Sequence, residues 1–182
     1  MLLRNIIQKL ESKPEEPKNV MKMSARPGLK YYEYEQTKNM SLAQLLPKSV
    51  SGALILIMDN HSTSNVGHFV LLMRHPRSGV TFFDPYGFGI SRLLVKTKNE
   101  NHLQKKLPNN VHDNRIPFQK KADDINTCGR HVICRYNAAA LKPKEYQALM
   151  QLPGLSPDDI VLLMTIGADL ATAIDSHNSN RK

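Results

Sequence analysis

Two apolar segments separated by turn-forming residues are the feature that most constrains the fold of this chain. Residues 67–74 and 79–84 are rich in β-branched and aromatic side chains, and His75-Pro76-Arg77-Ser78 lies between them. This pattern predicts two strands joined by a tight turn. If the hairpin is centred on Pro76, His68 lies directly opposite Asp84. Residues 52–58 form a further apolar run, which predicts a third strand.

The second half of the chain carries helical signals. Asn126 or Thr127 is predicted to cap a helix that runs to about residue 141. Pro143 is predicted to begin another, to about residue 152. The run 156–159 combines a capping serine, a proline and two acids, which predicts a helix start. Shorter elements are expected at residues 41–46, a helix, and at 115–119, a strand.

The length of 182 residues suits one domain, which is predicted to span residues 21–176. Residues 1–20 are interpreted as an N-terminal extension and linker, with apolar residues at helical spacing before a proline-rich break. Residues 177–182 are interpreted as a mobile tail. No apolar run approaches the ~20 residues of a membrane span, and no secretory signal is recognised, so no membrane partner is expected.

The formal net charge is +9, which is typical of proteins that contact polyanions or acidic surfaces. The basic residues are spread along the chain rather than grouped with aromatic residues. DNA contact through the basic surface and simple solubility therefore both remain open as explanations.

Cys128 is the first candidate site residue. It lies at the predicted start of a helix, where unpaired N–H groups and the helix dipole stabilise a thiolate and can face an oxyanion. Gly129 is predicted to leave space beside the sulfur for a substrate backbone. The other cysteine, Cys134, is six residues further on, so on one helix the two point about 240° apart and cannot form a disulfide.

His68 and Asp84 are the second and third candidates. His68 shares a strand face with apolar residues, where a polar ring needs a partner. Asp84 ends the next strand and could orient that ring, as the acid of a catalytic triad does. A thiol at a helix start with a base oriented by an acid is the arrangement of nucleophilic catalysis. Gln119, nine residues before Cys128, is a candidate donor to an oxyanion.

The segments around these four residues, in the chain order His, Asp, Gln, Cys, resemble those of a known family. Gly67-His68-Phe69, Phe83-Asp84-Pro85-Tyr86-Gly87, Gln119 and Thr127-Cys128-Gly129-Arg130-His131 are similar to the motifs of adenain-like cysteine proteases, which include adenovirus and virophage maturation proteases and the cellular SUMO proteases. The resemblance covers about residues 50–140. This chain departs from the family pattern at Phe69, where many relatives carry tryptophan, and has a longer segment between Gln119 and Cys128.

The resemblance implies an α+β fold with a central, mostly antiparallel sheet flanked by helices. The sheet would present His68 and Asp84 to a helix that starts at Cys128, and Gln119 would line the oxyanion hole. It further implies cleavage of viral capsid or other virion precursor proteins next to glycine or small residues, in the virion or in the host cytoplasm or viral factory. No cofactor and no metal are expected.

Three alternatives remain open on the sequence. A SUMO or ubiquitin-like deconjugating protease would use the same chemistry on another substrate. A basic, non-enzymatic DNA-binding virion protein would not need Cys128. A zinc site would use the Cys-x-x-His spacing of Cys128 and His131, with His68 as a further ligand.

Overall fold

A computed structural model describes residues 10, 12, 15–60, 67–122 and 125–167 of the chain. The helices and strands follow in chain order: α1 Pro17–Lys22, β1 Leu29–Glu33, α2 Leu42–Leu45, β2 Ser51–Met58, β3 Gly67–His75, β4 Gly79–Phe83, α3 Ile90–Lys96, β5 His112–Asp113, α4 Cys128–Asn137, α5 Pro143–Leu149 and α6 157–167. Short 3₁₀ helices span Tyr34–Asn39 and Gln104–Lys106.

The five strands form one mixed sheet in the order β1-β2-β3-β4-β5. The long central pairings, β2 with β3 and β3 with β4, are antiparallel, whereas the edge strands β1 and β5 pair in parallel with their neighbours. Helices flank this sheet, which confirms the expected α+β class.

Apolar clusters cover both faces of the sheet. Leu71 and Phe83 belong to a core that includes Val132 and Ile133 of α4. Leu72 and Phe82 belong to a second core with the side chains of α3. Because both faces are covered, β3 is a nearly continuous apolar run instead of alternating with polar residues.

Most of the predicted elements are confirmed. The three strands and the hairpin lie where the sequence placed them, within a residue or two. Ser41 caps α2, where its hydroxyl accepts a bond from the Gln44 amide at 3.2 Å. At the start of α6, the Asp159 amide donates to the Ser156 hydroxyl at 3.1 Å and the Asp159 carboxylate accepts from the Ser156 amide at 2.9 Å, so this predicted capping box is also confirmed.

The predicted strand at residues 115–119 is wrong. The edge strand β5 lies earlier, at His112–Asp113. Pro117 has no N–H to donate to a ladder. The amides of Phe118 and Gln119 both donate to the Pro85 carbonyl, at 2.9 and 3.0 Å, which turns this segment toward the loop after β4.

The helix that follows differs in its end and its cap. It ends at Asn137, four residues before the predicted end near 141. Thr127 occupies the N-cap position, but neither predicted capping side chain bonds to the helix. The Thr127 hydroxyl donates to Asp158, and the Asn126 amide donates to the Ser12 carbonyl at 2.9 Å.

The helix expected within residues 1–10 and the tail at 177–182 fall almost entirely outside the described residues, so the domain boundaries stay predictions. Of the described extension, α1 packs on the body through Val20, which is fully buried. Within the described part of the chain, no helix has the length and apolar content needed to cross a membrane.

Candidate active site

The hairpin brings His68 and Asp84 together, although not in the predicted register. Leu72 lies opposite Phe82 and Leu71 opposite Phe83, so Asp84 follows the residue opposite Leu71 and is not directly across from His68. The prediction was off by two residues, and an even shift keeps every side chain on its face of the sheet. Asp84 therefore still reaches His68, and His68 Nε2 lies 2.8 Å from Asp84 Oδ1.

The Asp84 carboxylate is fully buried and accepts two further bonds from the loop that follows it. The amides of Tyr86 and Phe88 donate to its two oxygens, each at 2.9 Å. Asn114 holds the main chain of Asp84 from the other side, because its side chain accepts from the Asp84 amide at 2.7 Å and donates to the Asp84 carbonyl at 2.8 Å. The acid is thus fixed from all sides before any ligand binds.

The Tyr86 ring stacks on His68, with centroids 4.4 Å apart and planes 17° from parallel. The loop that carries Tyr86 needs glycine at the next position, because a side chain on Gly87 would come within 2.5 Å of the main chain of Ile116 and Pro117. Gly87 also has a positive φ of 67°. The imidazole is therefore held by a stacked ring on one face and by Asp84 at Nε2.

Cys128 is the first residue of α4, as predicted, and its thiol lines the same cleft as the His68 ring, close enough for the two groups to shift each other's pKa values. Since Nε2 is bonded to Asp84, Nδ1 is the nitrogen left to face the sulfur. Burial acts to raise the pKa of the Cys128 thiol, but the bond to His68 and bonds from the amides of Phe69 and Gly129 outweigh it, so the pKa lies below that of an ordinary thiol.

The pKa of His68, the candidate base, shifts in the opposite direction. Burial acts to lower the pKa of His68, but the bonds to Asp84 and Cys128 outweigh it and raise the pKa to about 9. At neutral pH both shifts favour a thiolate beside an imidazolium, which is the nucleophilic pair that a cysteine hydrolase needs.

Gln119 is buried and lines the same cleft of about 360 Å³ as His68 and Cys128. Its Nε2 donates to the Ile125 carbonyl at 3.1 Å. The same nitrogen carries a second hydrogen, and no described residue accepts it. Two sources of hydrogen-bond donors thus border the cleft that contains the sulfur: the Gln119 amide and the N–H groups in the first turn of α4.

Replacing Gln119 with alanine should lower kcat by about 10²–10³-fold if its amide stabilises an oxyanion. Gln119→Glu is the matched variant, because it keeps the shape but removes the donor, and it should lose a similar factor. Peptide cleavage measured by a fluorogenic assay gives both numbers. A loss below about tenfold for Gln119→Ala would assign the oxyanion to other donors.

Gly129 does not leave open space for a substrate, as the sequence had suggested. A Cβ at this position would lie 2.7 Å from the side chain of Val20, because α1 packs directly against the start of α4. The glycine is needed for this close approach of two helices. The substrate face of Cys128 is therefore the cleft that also contains Gln119 and His68.

Asp158, which the sequence predicts only as part of a helix start, also belongs to the site. This buried carboxylate accepts the Thr127 hydroxyl, His131 Nε2 at 3.0 Å and the Lys120 amide at 2.9 Å. Burial acts to raise the pKa of Asp158, but these donors outweigh it and lower the pKa. The Asp158 carboxylate thus links Thr127, which precedes Cys128, to Lys120, which follows Gln119. Cys128 and Gln119 are the two sides of the candidate oxyanion hole.

Removing the Thr127 hydroxyl should disturb that alignment. Thr127→Val is expected to lower kcat by about tenfold with little change in KM, because a small displacement of a reacting group is costly. Thr37→Val is the matched control, since Thr37 is a fully buried threonine whose hydroxyl also donates, to the Tyr34 carbonyl at 2.7 Å. Equal kcat losses in the two variants would reduce the role of Thr127 to general stability.

The two cysteines should differ sharply in reactivity. Burial raises the pKa of the Cys134 thiol to about 12, whereas the pKa of Cys128 is lowered. Iodoacetamide at about pH 6 should therefore label Cys128 and leave Cys134 unmodified, since only a thiolate reacts. Peptide mapping by mass spectrometry locates the label. Equal labelling of both, or labelling of Cys128 only above about pH 8.5, would contradict the lowered pKa.

Cys128 and His131, the Cys-x-x-His pair considered as a zinc site, do not bring their side chains to one site. The Cys128 side chain lines the cleft with His68, whereas His131 is fully buried and its Nε2 is bonded to Asp158. In the described portions of the chain, no group of three or more His, Cys, Asp or Glu side chains is arranged to hold a metal ion.

Comparison with known proteins gives one informative relative. The chain is 24 % identical to the uncharacterized protein V9 of Sputnik virophage over 174 residues, which covers 76 % of this chain and 98 % of the relative. No protein-family model matches the chain. The similarity indicates a viral protein of virophage type and extends over nearly the whole of the relative.

Proposed function

We propose that this chain is a viral cysteine endopeptidase that processes capsid or other virion precursor proteins during maturation. The observation that carries the proposal is the position of His68, which is hydrogen-bonded to Asp84 at 2.8 Å and lines one cleft with Cys128, whose pKa it lowers. The similarity to a virophage protein supports the viral setting. Cleavage next to glycine or small residues is part of the proposal and rests on the resemblance to adenain-like proteases alone.

In the proposed acylation step, the Cys128 thiolate attacks the carbonyl carbon of the scissile bond and forms a C–S bond. The charge that develops on the carbonyl oxygen is stabilised by the Gln119 amide and the N–H of Cys128. His68, held as an imidazolium by Asp84, then gives its proton to the amine as the C–N bond breaks. The product is a thioester on Cys128.

In the proposed deacylation step, neutral His68 removes a proton from a water molecule, which attacks the thioester carbonyl. The C–S bond breaks, the product leaves as a carboxylic acid that gives its proton to solvent, and the thiolate–imidazolium pair is restored. Asp84 serves to orient the ring through both steps. The stacked Tyr86 ring supports the same orientation.

Co-expression with candidate virophage capsid proteins, followed by mass mapping of their termini, tests the proposed function. Wild-type protein should produce new termini next to glycine or small residues, and Cys128→Ser should produce none. Cys134→Ser is the matched control and should retain cleavage. Conjugates of SUMO-like and ubiquitin-like modifiers form the second arm. Cleavage of conjugates without cleavage of capsid proteins would favour a deconjugating protease, and no cleavage in either arm would contradict the proposal.

A further inference from the structure

Three cationic side chains surround a single aromatic ring at one end of the cleft. The ring of Phe88 has Lys96 Nζ at 4.9 Å, Arg92 Cζ at 5.6 Å and Lys121 Nζ at 5.8 Å from its centroid. Arg92 and Lys96 are four residues apart on α3, and Lys121 comes from the segment that follows Gln119. The three charges therefore converge from two separate elements of the fold.

This cationic cluster, Arg92, Lys96 and Lys121 around Phe88, is connected to the candidate active site. Phe88, Lys96 and Lys121 line the same cleft as Cys128. The Phe88 ring centroid is 5.8 Å from that of Tyr86, which in turn stacks on His68 at 4.4 Å. Taken together, the Lys96–Phe88, Phe88–Tyr86 and Tyr86–His68 distances place Lys96 Nζ within about 15 Å of the centre of the His68 ring. An extended peptide spans this distance in about four residues.

The cluster carries positive charge that no described carboxylate neutralises. Some basic side chains on the described surface have acidic partners, such as Lys38 with Glu100 at 3.0 Å and Arg77 with Glu145 at 2.7 Å. None of the ion pairs among the described residues involves a member of the cluster. Asp59 also lines the cleft and is the one carboxylate among its described lining residues, which include the two cations Lys96 and Lys121.

We infer that the cationic cluster is a subsite for an acidic side chain of the protein substrate, within about four residues of the scissile bond. This inference rests on the proposed function. A glutamate or aspartate there would accept charge-assisted bonds from Lys96 and Lys121. The subsite thus selects precursor segments that carry an acid next to the small residues at the cleavage site.

The geometry favours an acidic peptide over a nucleic acid. Binding of single strands combines a basic groove that follows the backbone with aromatic rings free for bases to stack on. Here the ring of Phe88 already has cations over it, and Lys96 and Lys121 line a cleft of only about 360 Å³. A side-chain carboxylate fits such a site better than a polynucleotide.

Fluorogenic peptides spanning a mapped cleavage site test the subsite. At each of the about four positions on either side of the scissile bond, glutamate is compared with glutamine and lysine. The wild-type protein should prefer glutamate over glutamine by about tenfold in kcat/KM at one position, and the preference should shrink with added salt. Lys96→Glu and Lys121→Glu should abolish or reverse it in favour of lysine. Lys48→Glu, an exposed lysine outside the cleft, is the matched control and should keep the preference.

Direct binding to Cys128→Ser protein tests the cluster independently of cleavage. A fluorescent peptide with glutamates should bind more tightly than its glutamine counterpart, and Lys121→Glu in the same background should remove the difference. Tighter binding of a short oligothymidine than of the acidic peptide would overturn the inference in favour of nucleic acid. Cleavage without any glutamate preference would overturn it while leaving the proposed function intact, whereas absence of all cleavage would count against the proposed function.

Discussion

Cys128→Ser protein should fold normally and lose peptide cleavage by about 10⁴-fold or more, because removal of the nucleophile from a catalytic triad removes nearly all of its rate advantage. The serine hydroxyl is almost the size of the thiol, but it lacks the low pKa that the start of α4 and the bond to His68 give to sulfur. Fluorogenic cleavage assays give the rate, and the thermal unfolding midpoint reports the fold.

Cys134→Ser is the matched control for this prediction, since it makes the same chemical change on the same helix. Cys134 is buried in the apolar core. Among the described residues, its sulfur contacts the Val161 carbonyl and is not bonded to a His–Asp pair. This variant should lose stability rather than catalytic rate, because it places a hydroxyl among apolar groups. The nucleophile assignment would be wrong if Cys128→Ser kept more than about a tenth of the wild-type rate.

His68→Ala is expected to have the second largest effect, a loss of about 10³-fold or more in kcat. The variant removes both the group that stabilises the thiolate and the proton donor for the leaving amine. It should also raise the pH needed for iodoacetamide to label Cys128, because the bond from His68 lowers the pKa of the thiol. Asp84→Asn should lose less, since Tyr86 stacking still orients the ring in part.

His75→Ala is the control for His68, because His75 lies at the far end of the same strand. It should leave both the rate and the labelling profile unchanged. If His68→Ala lowered the rate but left the pH dependence of Cys128 labelling as in the wild type, the His68–Cys128 pair would not be the source of the reactive thiolate.

The hairpin and the faces of its residues were predictable from local patterns. Apolar and β-branched runs flanking a turn define the strands, and the period of two residues places His68 and Asp84 on one face even when the register is shifted by two. Cys128 does lie in the first turn of α4, as predicted, although Asn126 and Thr127, the caps from which that start was inferred, bond elsewhere.

Contacts between distant segments could not be predicted in this way. Asp158 looks like an ordinary first-turn acid, and only the fold brings it to Thr127 and Lys120. Asn114 binds the main chain of Asp84 across 30 residues, and no local pattern indicates it. Gly129 was read as space for a substrate because the approach of α1 is invisible in the sequence.

The most direct test of the account is detection of the thioester on Cys128. Purified protein is mixed with a peptide that ends in an activated ester, quenched with acid within the first turnover, and analysed by mass spectrometry. The proposed mechanism predicts a mass increase equal to the acyl part of the peptide, mapped to Cys128 and absent in His68→Ala at the same time point. Absence of the increase in wild-type protein, or its location on Cys134, would contradict the account.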